Sequence, residues 1–160
     1  MINKRGQAAM EFLMTYGWAI LAAIIAIGVI AYFGVFTPGK YVGSSAIVTA
    51  PFYANAWNVQ SAGDTVTLEI RNNGGENLDV EKIVLSITDP AVITCTDSTA
   101  FTINSGALSA RTITLNVATC GSALNLLQGN NFKAGITITY ERTGSNVDLT
   151  STGSITDTAA

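Results

Sequence analysis

Residues 12–39 read FLMTYGWAILAAIIAIGVIAYFGVFTPG, and the stretch carries no charged side chain. About 20 apolar residues span a bilayer as a helix, whereas a secretory hydrophobic region needs only about 7–15. The run is long enough to span. Thr37-Pro38-Gly39 closes it, because Pro disfavours helix in the residue before it and Gly permits a turn. No Pro occurs earlier, so the pattern predicts one continuous helix over residues 7–36, roughly 45 Å of rod at 1.5 Å per residue. The aromatic residues Phe12, Tyr16 and Trp18 stand toward one end and Tyr32, Phe33 and Phe36 toward the other, as at the two interfaces of a membrane. Ala19 with Ala23, and Ala22 with Ala26, form small-xxx-small pairs that let helices approach closely.

The flanks set orientation. Lys4 and Arg5 precede the span and favour the cytoplasmic side, which sends everything after Lys40 outward. Between them and the apolar run lie Gly6, Gln7 and the lone acid Glu11. A carboxylate at the centre of a bilayer costs about 2.5–3.5 kcal/mol, and less near an interface.

The stretch KRGQAAMEFLMTYGWAI (residues 4–20) resembles the class III signal peptide of archaeal type IV pilins. In that family a short basic leader ending in Gly is cut before a Gln, and a Glu stands fifth in the mature chain. The resemblance implies a cut between Gly6 and Gln7, which would make Glu11 the fifth residue of the mature chain. The sequence departs from the commonest pattern at Ala9 and at Thr15. The resemblance implies a class III prepilin peptidase, a pilus assembly ATPase and a membrane platform protein as partners, with identical or related pilin subunits in a filament. It implies a precursor in the cytoplasmic membrane and an extracellular surface filament when mature.

The physics of such a cut stands on its own. Removing Lys4 and Arg5 deletes two charges that resist extraction of the helix from lipid. The cut also frees an α-amino group on Gln7, with an ordinary pKa near 7.7–8.0. Glu11, one helical turn on, is placed to neutralise that amine in its own chain or in a neighbour arriving in a filament. The expected organisation is a basic leader (1–6), an assembly helix (7–36), a linker (37–45) and an outer domain (46–160).

The outer domain shifts to Thr, Ser, Asn and Gly with short β-branched runs. Val66, Leu68 and Ile70 alternate with polar residues, as do Ile83, Leu85 and Ile87, then Ile113, Leu115 and Val117, then Ile136, Ile138 and Tyr140. Period two means strands buried on one face. Further strands are expected near residues 46–53, 92–96, 101–103 and 147–155. Turn signals separate them, among them Asn72-Asn73-Gly74-Gly75, Asp89-Pro90 and Gly129-Asn130-Asn131. Seven or eight short strands predict an antiparallel β-sandwich, with the immunoglobulin arrangement as a candidate. The fold class is α+β. Phe52, Trp57, Phe101 and Phe132 are the large residues expected to fill the core.

Cys95 and Cys120 are the only cysteines, and both fall in the outward part, which predicts one disulfide. The chain has no His and a net charge of −3, with only 12% charged residues. These features leave no zinc set, no His-centred catalysis and no basic patch for nucleic acid. Asn77, Asp79 and Glu81 alternate and would share a strand face of the kind that holds a hard cation, although a solvated face is the commoner meaning. Neither a phosphate loop nor a nucleophile elbow stands out. The expectation is a structural protein: no catalytic, cofactor-binding or metal-ligating residues are assigned, and no cofactor. There is no Asn-x-Ser/Thr sequon, while the many Ser and Thr residues leave O-linked sugars open. Three rival readings remain: a monomeric single-pass surface protein whose β-domain binds a ligand or an envelope layer, a swimming-filament subunit, and a minor pilin.

Overall fold

The computed structural model describes residues 4–33 and 43–160, which fall into two units divided between Tyr41 and Val42. The first unit is helix α1, Lys4–Tyr32. It begins three residues earlier than the apolar pattern predicts, so Gly6 and Gln7 lie within its first turns. A Gly inside a helix costs only about 1 kcal/mol relative to Ala, and the residues that follow are mostly Ala, Leu, Ile and other apolar residues. The span expected to Phe36 and the linker over residues 37–42 fall outside the described residues. Ser45, expected to end the linker, is already in the first strand.

The second unit has nine strands among the described residues: β1 Ser45–Val48, β2 Phe52–Gln60, β3 Thr65–Asn72, β4 Leu78–Asp89, β5 Ile93–Asp97, β6 Phe101–Ile103, β7 Leu108–Thr114, β8 Asn131–Arg142 and β9 Leu149–Thr158. A single helical turn, α2 Val117–Cys120, joins β7 toward β8. One sheet runs β1-β9-β8-β4-β5, with β6 also paired to β4, and the other runs β2-β3-β7. Every pairing is antiparallel. With β1 set aside, β9-β8-β4-β5 follows the G-F-C-C′ order of an immunoglobulin-like sandwich and β2-β3-β7 follows A-B-E. The inter-sheet disulfide of antibody domains is replaced here by a different bridge, described below.

The alternating residues do what their period demands. Val66, Leu68 and Ile70 of the smaller sheet and Ile83, Leu85, Ile87, Ile136 and Ile138 of the larger one meet in a single buried core. Phe52 and Phe132 are buried in it, and Trp57 and Phe101 pack against its margin. The Phe52 and Tyr140 rings meet edge to face at 5.0 Å, a favoured geometry for aromatic quadrupoles.

Val117 departs from its expected inward position and is exposed. The alternation stops at buried Leu115 because Asn116 caps a helical turn instead. Its side-chain oxygen accepts from the N–H groups of Ala118 (2.9 Å) and Thr119 (3.1 Å). Gly121, at φ +72°, then closes the turn in the left-handed region that glycine enters without penalty.

One buried polar side chain ties the sheets together. Asn72, at the end of β3, donates to the carbonyls of Glu76 (2.8 Å) and Ile103 (3.0 Å), and its oxygen accepts from Gly74 N–H (2.8 Å). Its amide is thus satisfied at 0% exposure, as a buried amide must be.

Candidate functional site

Helix α1 is apolar on all sides. From Ala9 to Phe33 every residue is exposed except half-exposed Gly17. The exposed set includes Met10, Phe12, Leu13, Trp18, Ile24 and Ile27. Soluble surface helices show one apolar stripe, whereas a helix apolar all round is buried in protein or in lipid. Ala9–Tyr32 is long and apolar enough to cross a membrane. Its 24 residues rise about 36 Å against a hydrocarbon core of about 30 Å.

Near the head of this helix stands Glu11. The Thr15 hydroxyl donates to its backbone carbonyl at 2.8 Å, which satisfies a polar group that would otherwise meet an apolar surround. The Phe12 and Tyr16 rings, one turn apart, meet at 4.8 Å with their planes tilted by 39°. Lys4, Arg5, Gly6 and Gln7 are helical in backbone, and Gly6 is exposed. The side chains of Lys4, Arg5 and Gln7 lie outside the described residues, as does any pairing of the Gln7 terminus with Glu11.

The two cysteines are joined. Cys95 of β5 and Cys120 of α2 form a disulfide across a sequence separation of 25. Cys95 is fully buried and Cys120 packs at the core margin. Beside the bridge, Arg111 of β7 reaches Asp97 of β5 at 2.9 Å and lies over the Phe101 ring at 4.8 Å. This edge of the sandwich is therefore held by a covalent bond, an ion pair and a cation–π contact.

Asn77, Asp79 and Glu81 share the outward side as their spacing predicts, alternating with buried Leu78 and Val80. Asn77 accepts from Ser105 N–H at 3.0 Å, and Asp79 accepts from the Thr102 hydroxyl. The alternation holds through Glu81 and breaks at Lys82, which is also exposed, where the register with β8 shifts between Val80 and Lys82. On that side Asp79 stands opposite Glu141 of β8, and the carboxylate oxygens of Glu81, Glu141 and Asp148 lie within 4.8 Å of one another. Sequence reading missed Glu141 and Asp148 because strand register, not spacing, brings them to Glu81. A hydrogen bond shared with Asp148, then burial, then the charge of Glu81 push the Glu141 carboxyl above its usual range. Oxygen ligands of this kind suit a hard cation, but an exposed acidic group is also common without one.

A cleft of about 350 Å³ opens elsewhere, floored by Leu78, Tyr140 and Leu149 and rimmed by Glu76 and Arg142, whose charged groups are 3.4 Å apart. Compared with known proteins, the chain matches no family model and no curated sequence.

Proposed function

We propose that this chain is a structural subunit of an archaeal type IV pilus-like extracellular filament, serving surface attachment. In this reading a class III prepilin peptidase cuts between Gly6 and Gln7. An assembly ATPase and membrane platform then move the mature chain from the cytoplasmic membrane into a polymer of identical or related subunits. The exposed α1 helices pack together and take each other's surfaces in place of lipid, while the β-domains coat the outside.

The observation that carries this reading is the pairing of an all-round apolar helix, headed by a single carboxylate, with a β-domain that completes its own core. A domain that needs nothing from α1 leaves the helix free for other partners. Outside the membrane its side chains must be buried against copies, because each Leu, Ile or Phe left in water costs roughly 1.5–3 kcal/mol. Glu11 supplies register, because a carboxylate left unpaired in such a bundle is costly and pairing with the Gln7 amine offsets part of that cost.

The alternative is a single-pass membrane-anchored surface protein with a ligand- or envelope-binding β-domain. The length of Ala9–Tyr32 supports it equally well. Imaging separates the two. Surface fractions sheared from the native cells are examined by electron microscopy, and their protein is identified by peptide mass. The filament reading expects thin fibres built of this chain. Recovery of the chain solely from the membrane fraction, with no fibres, refutes it and favours the anchor.

A further inference from the structure

Strand β1 stands outside the sandwich that the other eight strands complete. It is four residues long, lies at the edge of the larger sheet beyond β9, and is the first strand after residues 34–42. Among its side chains only Val48 is buried. Ala46 packs partly against the core, while Ser45 and Ile47 are exposed. The ladder to β9 therefore does most of the holding, and each of its hydrogen bonds contributes only about 0.5–1.5 kcal/mol net.

The attachment changes character at the end of the strand. Thr49 N–H donates to the Thr152 carbonyl at 2.8 Å, and Thr152 N–H donates to the Thr49 hydroxyl at 3.0 Å. Fully buried Ser151 donates its hydroxyl to the Thr49 carbonyl at 2.6 Å. Phe52, three residues on, is core. At the opposite end the Trp57 indole N–H donates to the Ser44 hydroxyl at 2.9 Å, a single exposed bond. The segment is thus held less firmly at its start than where it enters the sandwich.

We propose that β1 is a releasable part of the tether between α1 and the domain. A pull on an anchored α1 strips Ser45–Val48 from β9 as far as the Thr49–Ser151 clasp, and the sandwich stays folded. The four residues are already extended in β1, so release turns roughly 13–14 Å of docked strand into free tether that pivots about Thr49. The device needs α1 to be anchored, and a bilayer serves as well as a filament, so it stands apart from the filament reading. Gly153 fits the docked state: a Cβ there would overlap the Ile47 carbonyl oxygen and lie 3.0 Å from Val48 Cα. Docked, β1 also covers the edge of β9, whose bare N–H and C=O groups would otherwise invite pairing with another chain.

Amide hydrogen exchange on the full chain in detergent micelles tests this directly. Local release predicts that the ladder amides of Ser45 and Ile47 exchange about 100-fold or more faster than those of residues 136–140 in β8. Two variants sharpen the test. Ile47→Pro removes a ladder donor at a position whose side chain is exposed, and Gly153→Ala crowds the docked strand from the other side. Both are expected to erase protection at the ladder amides of β1 and along the facing edge of β9, with β4 and β8 unchanged. Protection of Ser45 and Ile47 equal to that of β8 in the parent chain overturns the proposal. So does loss of protection throughout the domain in Ile47→Pro.

Discussion

Arg111 Nη2 lies 2.9 Å from Asp97 Oδ2, and that contact joins β7 of the smaller sheet to β5 of the larger. Burial alone would raise the Asp97 pKa. Hydrogen bonds from the Thr99 side chain and backbone, with the bond and charge of Arg111, outweigh it and hold the carboxyl below its ordinary range. A folded-state pKa below the unfolded value means stability that is present above the unfolded pKa, near 3.9, and lost as pH falls through the folded value. Arg111→Ala is expected to cost about 1–3 kcal/mol at pH 7, and to flatten the acid limb of a urea stability–pH profile. An unchanged acid limb would mean that the ion pair contributes nothing to folding.

Glu141 titrates in the opposite sense. Its folded pKa is raised by the shared hydrogen bond with Asp148, by burial and by the charge of Glu81. Its contribution is therefore present below the unfolded pKa and is lost as pH rises through the folded one. Glu141→Gln is expected to raise the melting temperature at pH 7 and to leave it nearly unchanged at pH 4. The readout is a pair of thermal melts at the two pH values.

The disulfide closes a loop of about 25 residues, for which chain entropy gives somewhat over 3 kcal/mol. Reduction, or Cys95→Ala with Cys120→Ala, is expected to lower unfolding free energy by about that amount. Urea titration with and without reductant measures it. An equal midpoint in both conditions would exclude a stabilising bridge.

Buried Asn72 offers a sharper loss. Asn72→Ala strands the Gly74 N–H and two carbonyls, those of Glu76 and Ile103, at a cost of about 2–4 kcal/mol. Chemical denaturation checks the figure. A loss below about 0.5 kcal/mol would show that water replaces the amide.

Most of the fold was legible where one face is uniformly apolar. β3 alternates throughout, β8 alternates as far as Ile138 and β4 alternates on either side of its bulge between Val80 and Lys82, so the period of two reads directly. β2 was half missed because a bulge between Ala54 and Ala56 shifts the inward set from Phe52 and Ala54 to Trp57 and Val59. β7 turns Ser109 and Arg111 toward the interior side. An inward Arg is intelligible only with Asp97 opposite it, and Asp97 is fourteen positions away. β9 carries Ser151 and Gly153 on the inner face for reasons set by β1: a hydroxyl clasp at Thr49 and room for the Ile47–Val48 backbone. Of the candidate sites, the apolar helix and the cysteine pair were readable from composition. The Glu81–Glu141–Asp148 cluster was not, since pairing register cannot be counted off a sequence.

The central claim concerns what happens at Gly6–Gln7, and N-terminal peptide mass spectrometry of the native protein tests it most directly. The account predicts a mature chain beginning at Gln7, as a free amine or as its cyclised form, with the Cys95–Cys120 bridge registering as two missing hydrogens. A chain that still carries Lys4 and Arg5 when isolated from its cells would contradict it and leave α1 as a plain membrane anchor.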